Sequence, residues 1–248
     1  MHNDITVIIA TSVLPSHPST AILDETIASI RHHLPDSEIL VQMDGIRGEQ
    51  IERTDDYIEY KKRVYWKALH EWHNVLPIEF DQHSHQSTMM KETYDYIKTP
   101  LMLYIEGDTP LVTDHFIDWE GCKQLIYNGE ANTIRFHHDS VIHEEHQYLM
   151  LDTKGQFMRT IQWSQRPHLS NVLYYKEEVT ANIPDKAFIE DNFHKKVISD
   201  FHEHAMIGWS KHGLMIYYPE DGKMIKRSYH LDGRAGGLKY TVDDEAGL

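Results

Sequence analysis

Two hydrophobic rhythms alternate along the first third of the chain. Thr6–Ala10 (TVIIA) is a short β-branched run of the kind a buried parallel strand carries, and Glu38–Met43 (EILVQM) reads the same way. Between them Ile22/Leu23, Ile27, Ile30 and Leu34 recur at helical spacing, with Ser19 or Thr20 as candidate cap and Pro35-Asp36-Ser37 as stop. Glu49–Trp72 reads as one long helix, with Ile51, Ile58, Tyr65, Leu69 and Trp72 on one apolar stripe. Val75–Phe80 predicts a third strand, Ser87–Ile97 a helix, and Leu101–Ile105 a fourth, very apolar strand that runs straight into Glu106-Gly107-Asp108. Such alternation predicts βαβ units, a mostly parallel sheet with helices on both faces, and right-handed crossovers.

After Asp114 the rhythm changes. His115–Tyr127 predicts a helix, and hairpin-like material follows at Thr133–His137, Gln147–Leu151 and Phe157–Trp163, with a turn at Lys154-Gly155. Asp185–Ala205 reads as a helix, and Leu214–Tyr218 with Met224–His230 as a hairpin across Glu220-Asp221-Gly222. No linker divides the chain. The expectation is one α/β domain over residues 1–240, with a first half (1–113), a mixed second half (114–240) and an acidic tail at 241–248.

Composition narrows the classes. The 248 residues are 40% hydrophobic and 25% charged, which is globular. Against 24 basic residues stand 39 acidic ones, a net charge of −15 that repels a phosphate backbone at long range. The single cysteine, Cys122, excludes an intrachain disulfide and a Cys-based zinc site. The longest apolar runs fall far short of the ~20 residues that span a bilayer, and Met1-His2-Asn3-Asp4 lacks a basic, apolar leader. A cytoplasmic location is expected. Of 19 histidines, none completes a zinc-protease motif: His70-Glu71-Trp72-His73 and His143-Glu144-Glu145-His146 are each one residue short.

Candidate chemistry gathers where strands end. An open parallel sheet binds ligands beyond its carboxyl edge. Three predicted strands end there in polar groups: Thr11-Ser12, Asp44-Gly45 and Glu106-Gly107-Asp108. Two carboxylates about a glycine form a small hard-oxygen site suited to Mg²⁺ or Mn²⁺. His83-Ser84-His85 lies on the same rim as a candidate nucleotide contact. The loop Gln162–His168 offers Trp163 to stack on a sugar face, with Arg166 and His168 as hydrogen-bonding partners for sugar or phosphate.

The order of these pieces resembles the GT-A glycosyltransferases, above all the inverting, family-2-like group that uses nucleotide-diphosphate sugars. Ile5–Gly45 resembles that group's nucleotide-binding start, and Thr99–Leu111 its Asp-x-Asp segment, with Glu106 in the first acidic place. The resemblance implies that Thr11 and Ser12 line a nucleotide pocket, and that Asp44 contacts the base or ribose. It further implies that Asp108, beside Glu106, holds a divalent metal against the diphosphate. It places an acceptor-deprotonating carboxylate at Glu190-Asp191, with Asp191 preferred. It makes His230 a metal or diphosphate contact, and Arg227 and Arg234 diphosphate partners. The implied activity is metal-assisted transfer of a hexose-type sugar, a UDP-sugar favoured as donor, to an acceptor hydroxyl. Other readings are a non-catalytic His-rich carbohydrate- or metal-binding module, and a sugar-phosphate nucleotidyltransferase. The second is disfavoured because Thr11–Thr20 contains no glycine for a phosphate loop. A DNA-base acceptor would need a basic path, and only Lys61-Lys62-Arg63 and Lys195-Lys196 are densely basic.

Overall fold

The computed structural model describes residues 4–218 and 225–231. The strands are β1 (Ile5–Thr11), β2 (Ile39–Met43), β3 (Val75–Glu79), β4 (Leu101–Glu106), β5 (Thr133–Arg135), β6 (Met150–Lys154), β7 (Phe157–Thr160), β8 (His168–Asn171) and β9 (Leu214–Tyr217). The helices are α1 (Ala21–His33), α2 (Thr54–His70), α3 (His85–Thr93), α4 (Trp119–Tyr127), the single turn α5 (Val172–Tyr174) that continues as a wider π-type turn to Thr180, α6 (Ile189–His204) and α7 (Met206–His212). Among the described residues they build one mixed α/β sheet in the order β3-β2-β1-β4-β8-β5-β9-β7-β6.

The first four strands are parallel; the Ile, Leu, Val and Met runs of β1, β2 and β4 are buried on both faces, as the β-branched patterning requires, whereas β3 is a partly exposed edge strand. Their register sets the site. Ala10 pairs with Glu106 and Thr11 with Met43, so the ends of β1, β2 and β4 open on one rim. The other half is held mainly by antiparallel pairs, and the predicted turn at Lys154-Gly155 does close a hairpin, with Lys154 opposite Phe157.

Three expectations are corrected. The long helix begins only at Thr54, after a 3-10 segment over Gly48–Arg53, and it turns Tyr57, Tyr60 and Val64 to the core. Ile51, Ile58, Tyr65 and Leu69 of the predicted stripe point to solvent, and Trp72 alone packs against the core. The helix has two apolar faces, and periodicity alone does not say which is inside. The second correction concerns β8. It is a central strand between β4 and β5, yet it begins inside the segment read as a loop, since HLSN carries no apolar run. Third, residues 225–231 do not return beside β9 as a hairpin. They cross to the end of β4, where Val112 N–H donates to Arg227 O (3.0 Å) and Leu231 N–H donates to Asp108 O (2.8 Å). Residues 219–224, Arg234 and the 241–248 tail lie outside the described residues.

Candidate functional site

The turn after β4 is fixed from both sides. Gly107 N–H donates to Ala10 O (2.8 Å), and Thr26 Oγ1 on α1 donates to Gly107 O (2.7 Å). A Cβ at Gly107 would sit 2.9 Å from Thr11 Cγ2, so any side chain there would have to displace the Thr11 methyl. The turn therefore presents Glu106 and Asp108 in fixed positions on either side of the glycine.

Each acid has a distinct setting. Asp108 Oδ2 lies 3.1 Å from His230 Nε2, and this contact raises the imidazole pKa. His230 is brought there by the crossing segment, which is tied down by Tyr229 OH donating to Glu25 Oε1 (2.8 Å). Glu106 Oε1 accepts from Gln86 Nε2 (2.7 Å). Burial first, and the adjoining Asp108 second, push the Glu106 carboxyl up to about 8.

Two clefts meet at this turn. The first, about 220 Å³, is lined by Thr11, Ser12, Asp44, Arg47, His85, Glu106 and Asp108. The second, about 470 Å³ and more open, is lined by Thr109, His138, Arg166, Glu190, Asp191 and His230. Gln86, Glu106 and Phe188 belong to both walls. The two clefts therefore adjoin at these three residues.

The far wall of the second cleft is the start of α6. The segment before it is sewn to α3: Ser87 Oγ donates to Pro184 O (2.8 Å), and Ala187 N–H donates to Ser87 Oγ (3.0 Å). Glu190 Oε2 accepts from Gln165 N–H (2.6 Å), which holds that side chain against the wall. Asp191, one residue on, is exposed at the cleft. Glu190, Arg166 and Asp139 surround the buried guanidinium of Arg135, which burial lowers to about 9.

The predicted site residues thus divide. Thr11, Ser12, Asp44, Glu106, Asp108, Arg166, Glu190, Asp191 and His230 all line one of the clefts. Four of the predicted contacts are corrected or fall elsewhere. Trp163 is only 2% exposed and packs edge-on to Phe193 and His168 in the core, so it offers no face to a sugar. His168 is fully buried between Tyr104 and Tyr175, and its Nδ1–H donates to Arg166 O (2.7 Å). Trp163 lies in the irregular stretch that enters the core before β8, and His168 opens that central strand, so neither stands on a surface loop. Arg227 is 4% exposed and stacks its guanidinium on the Tyr217 ring, outside either cleft lining. Arg234 lies outside the described residues.

Asp44 is at the rim but differently employed. Its oxygens accept from Gly45 N–H (2.8 Å), Ser84 N–H (2.7 Å) and His85 N–H (3.1 Å), and His83 Nδ1 lies 2.8 Å away. A carboxylate has about four acceptor sites, and three backbone N–H groups take up three of them. Asp44 therefore anchors the 83–85 loop from the wall of the first cleft. That anchor holds His85 at φ 59°, a left-handed conformation that is costly for a non-glycine residue, and so aims its ring into the cleft against Phe188. Arg47, Gln86 and Phe188 were missed altogether. None sits in a motif, and only the Asp-Gly turn three residues before Arg47 gave a hint of its place.

Among the described residues, no three His, Cys, Asp or Glu side chains group so that together they could hold a metal ion. The Asp108–His230 pair still fits a hard divalent cation, with Glu106 adjoining. Mg²⁺ and Mn²⁺ take one or two carboxylates and leave the remaining positions to phosphate oxygens and water.

No protein-family model and no curated protein sequence matches the chain. Solved structures do match its fold. S. aureus TarS residues 1–349 in complex with UDP-GlcNAc superposes with a TM-score of 0.53 at 10% identity, covering 91% of this chain and 58% of that one. The Pyrobaculum calidifontis mannosyltransferase PcManGT, in complex with GDP-Man and Mn2+, gives 0.54 at 11% identity over 88% of this chain and 55% of that one. A putative glucose-1-phosphate thymidylyltransferase from Bacillus anthracis gives 0.50 at 10% identity over 97% and 99%. The chain spans little more than half the length of the glycosyltransferase structures it matches. Its fold is the GT-A fold.

Proposed function

We propose that the chain is a glycosyltransferase that moves a sugar from a nucleoside-diphosphate sugar to an acceptor hydroxyl with inversion. One observation carries this reading. The acidic turn that ends β4 forms the shared floor of two clefts, and a carboxylate, Asp191, stands across the second. The first cleft suits the donor: narrow, and lined by Thr11, Ser12 and the cationic Arg47. The second suits an acceptor: larger, open and polar.

In this reading Asp108 and His230 would hold a divalent cation, Mn²⁺ or Mg²⁺, with Glu106 beside them, and the cation would stabilise negative charge on the departing diphosphate. Asp191 accepts the acceptor hydroxyl's proton while the hydroxyl oxygen attacks the anomeric carbon from the side opposite the leaving oxygen. Glu190, tied to the Gln165 amide, orients the start of α6 and keeps Asp191 at the wall. Phe188, 45% exposed between the clefts, shields the reacting centre from water on one side. A UDP-sugar is the favoured donor.

The nucleotidyltransferase reading gains the thymidylyltransferase fold match. Against it stands the β1–α1 loop, which contains no glycine and so no backbone cradle for a triphosphate. A non-catalytic binding module leaves the paired clefts without a purpose.

The test is calorimetry with UDP, GDP and dTDP, with and without Mn²⁺, on the wild type and Asp108→Ala. Metal-dependent binding that Asp108→Ala removes, without a change in melting temperature, supports the donor site. Equal binding by the variant, or pyrophosphate release from a nucleoside triphosphate and a sugar phosphate, sinks it.

A further inference from the structure

His85 opens helix α3 with φ 59°, a backbone conformation that a non-glycine residue keeps only where its surroundings impose it. Here they do. Asp44 accepts from the N–H groups of Ser84 (2.7 Å) and His85 (3.1 Å), and a Cβ at Gly45 would overlap the carbonyl carbon of Gln82, so the 82–85 loop is pressed onto the turn that ends β2. The ring is held as firmly as the backbone. Gln86 N–H donates to its Nδ1 (2.9 Å), and Phe188 meets it edge-on with ring centroids 4.0 Å apart.

These contacts decide what the ring offers. With Nδ1 accepting, the proton of the neutral imidazole stands on Nε2, and among the described residues no hydrogen bond takes it up. Burial first, and then the charges of Arg47 and His83, hold the His85 pKa below its ordinary value, so the ring is neutral near pH 7. Asp191, in the wall of the second cleft, is close enough to pull the other way. His85 lines the first cleft, and its neighbours Gln86 and Phe188 line both. The groups around them are mostly acceptors: Glu106, Asp108 and Asp191. The Gln86 amide is held at both ends, by Glu106 and by Ile189 N–H. His85 therefore brings a directed N–H donor to the boundary between the clefts, and Phe188, 45% exposed, brings an apolar ring.

In the glycosyltransferase reading, on which this inference rests, a donor with its diphosphate at Asp108 carries its sugar across that boundary, so that the anomeric carbon faces the acceptor. We infer that His85 and Phe188 hold the donor's sugar: His85 Nε2–H donates to a sugar oxygen, and the Phe188 ring packs on the sugar's C–H face. Both residues bind and place the sugar, and neither takes part in proton transfer. The strained backbone at residue 85 is what aims the N–H.

The experiment is calorimetry on the full chain with Mn²⁺, comparing UDP and GDP with UDP-glucose, UDP-N-acetylglucosamine and GDP-mannose. His85→Gly should bind the bare diphosphate as the wild type does and the matching sugar nucleotide at least about fivefold more weakly. It should melt near the wild type, because glycine adopts a positive φ freely. His85→Phe, which keeps an aromatic ring against Phe188 and removes the N–H, should show the same loss. His85→Gln, whose amide restores an N–H donor, should recover part of it. Phe188→Ala should also weaken the sugar nucleotide and spare the diphosphate, and an unchanged affinity there removes Phe188 from the pair. Undiminished sugar-nucleotide affinity in His85→Gly or His85→Phe overturns the assignment, as does an equal loss for the bare diphosphate, which would make His85 a nucleotide contact. A wild type that binds neither diphosphate overturns the glycosyltransferase reading itself, and this assignment with it.

Discussion

The two clefts are neighbours on one sheet edge, but the chain assembles them differently. The first, the proposed donor cleft, draws most of its wall from the ends of parallel strands and the loops and helix starts after them, at residues 10–23, 44–47, 85–89 and 106–108. Each of those ends follows an apolar run, and parallel register brings them level. The second, the proposed acceptor cleft, is gathered from segments that share no rhythm, at 86, 106–109, 138, 164–166, 188–191 and 230. A site built from strand ends is positioned by the sheet itself. A site built from crossing segments depends on tertiary hydrogen bonds such as Gln165 to Glu190 and His230 to Asp108. The first tolerates change in its loops, whereas the second should fail when a distant tether is cut.

The sharpest break between the clefts is chemical. Asp191→Asn should lower turnover by about 10²–10⁴-fold while leaving nucleoside-diphosphate affinity unchanged, because it removes a proton acceptor from the acceptor wall alone. Steady-state kinetics beside calorimetry reads both, and loss of nucleotide binding would show that the clefts are not separable in this way.

Stability should divide along the same line. Trp163→Ala empties a packed pocket against Phe193 and His168 under the acceptor cleft and should cost about 3–5 kcal/mol. Asp44→Asn, under the donor cleft, turns one acceptor into a donor facing backbone N–H groups and should cost about 1–3 kcal/mol. Denaturant melts of the two variants measure the ranking, and an inverted order would make the 83–85 loop the more critical anchor.

The smallest effect is in pH, and both halves share it. Burial depresses His17 on the donor side and His168 on the acceptor side to about 4, from an ordinary 6.5. Their neutral forms are the folded forms. Stability from each is complete above about 6.5 and declines as pH falls toward 4, since the unfolded chain binds the proton first. Glu106 runs the other way: its raised pKa contributes stability that is present below about 4.5 and is lost as pH rises through about 8. Melting curves at half-unit steps from pH 4 to 8 should show His168→Gln flattening the acid side only.

Much of the fold was legible because the parallel half writes its strands as unbroken apolar runs. Ile5–Thr11, Ile39–Met43 and Leu101–Glu106 are recognisable one by one, and their polar ends mark the rim. The acidic turn and the Glu190-Asp191 pair were readable as motifs. Strand β8 was not: His168 and Ser170 are buried polar residues there, and buried polar strands have no signature until their partners are known. The two-faced α2 misled for the opposite reason, since its outer stripe is as apolar as its inner one. The crossing segment at 225–231 was read as a hairpin because its partners, Asp108 to Val112, lie over a hundred residues upstream.

Gln86 acts as a ruler. Its amide nitrogen donates to Glu106 at the end of β4, and its amide oxygen accepts from Ile189 N–H (3.3 Å) at the start of α6. Only an amide can do both: glutamate has nothing to donate, lysine has nothing to accept with, and asparagine is a methylene shorter. The gap between the acidic floor and the carboxylate wall is therefore written in the length of one side chain. A protein engineer seeking to resize that gap would begin at this position, outside every motif.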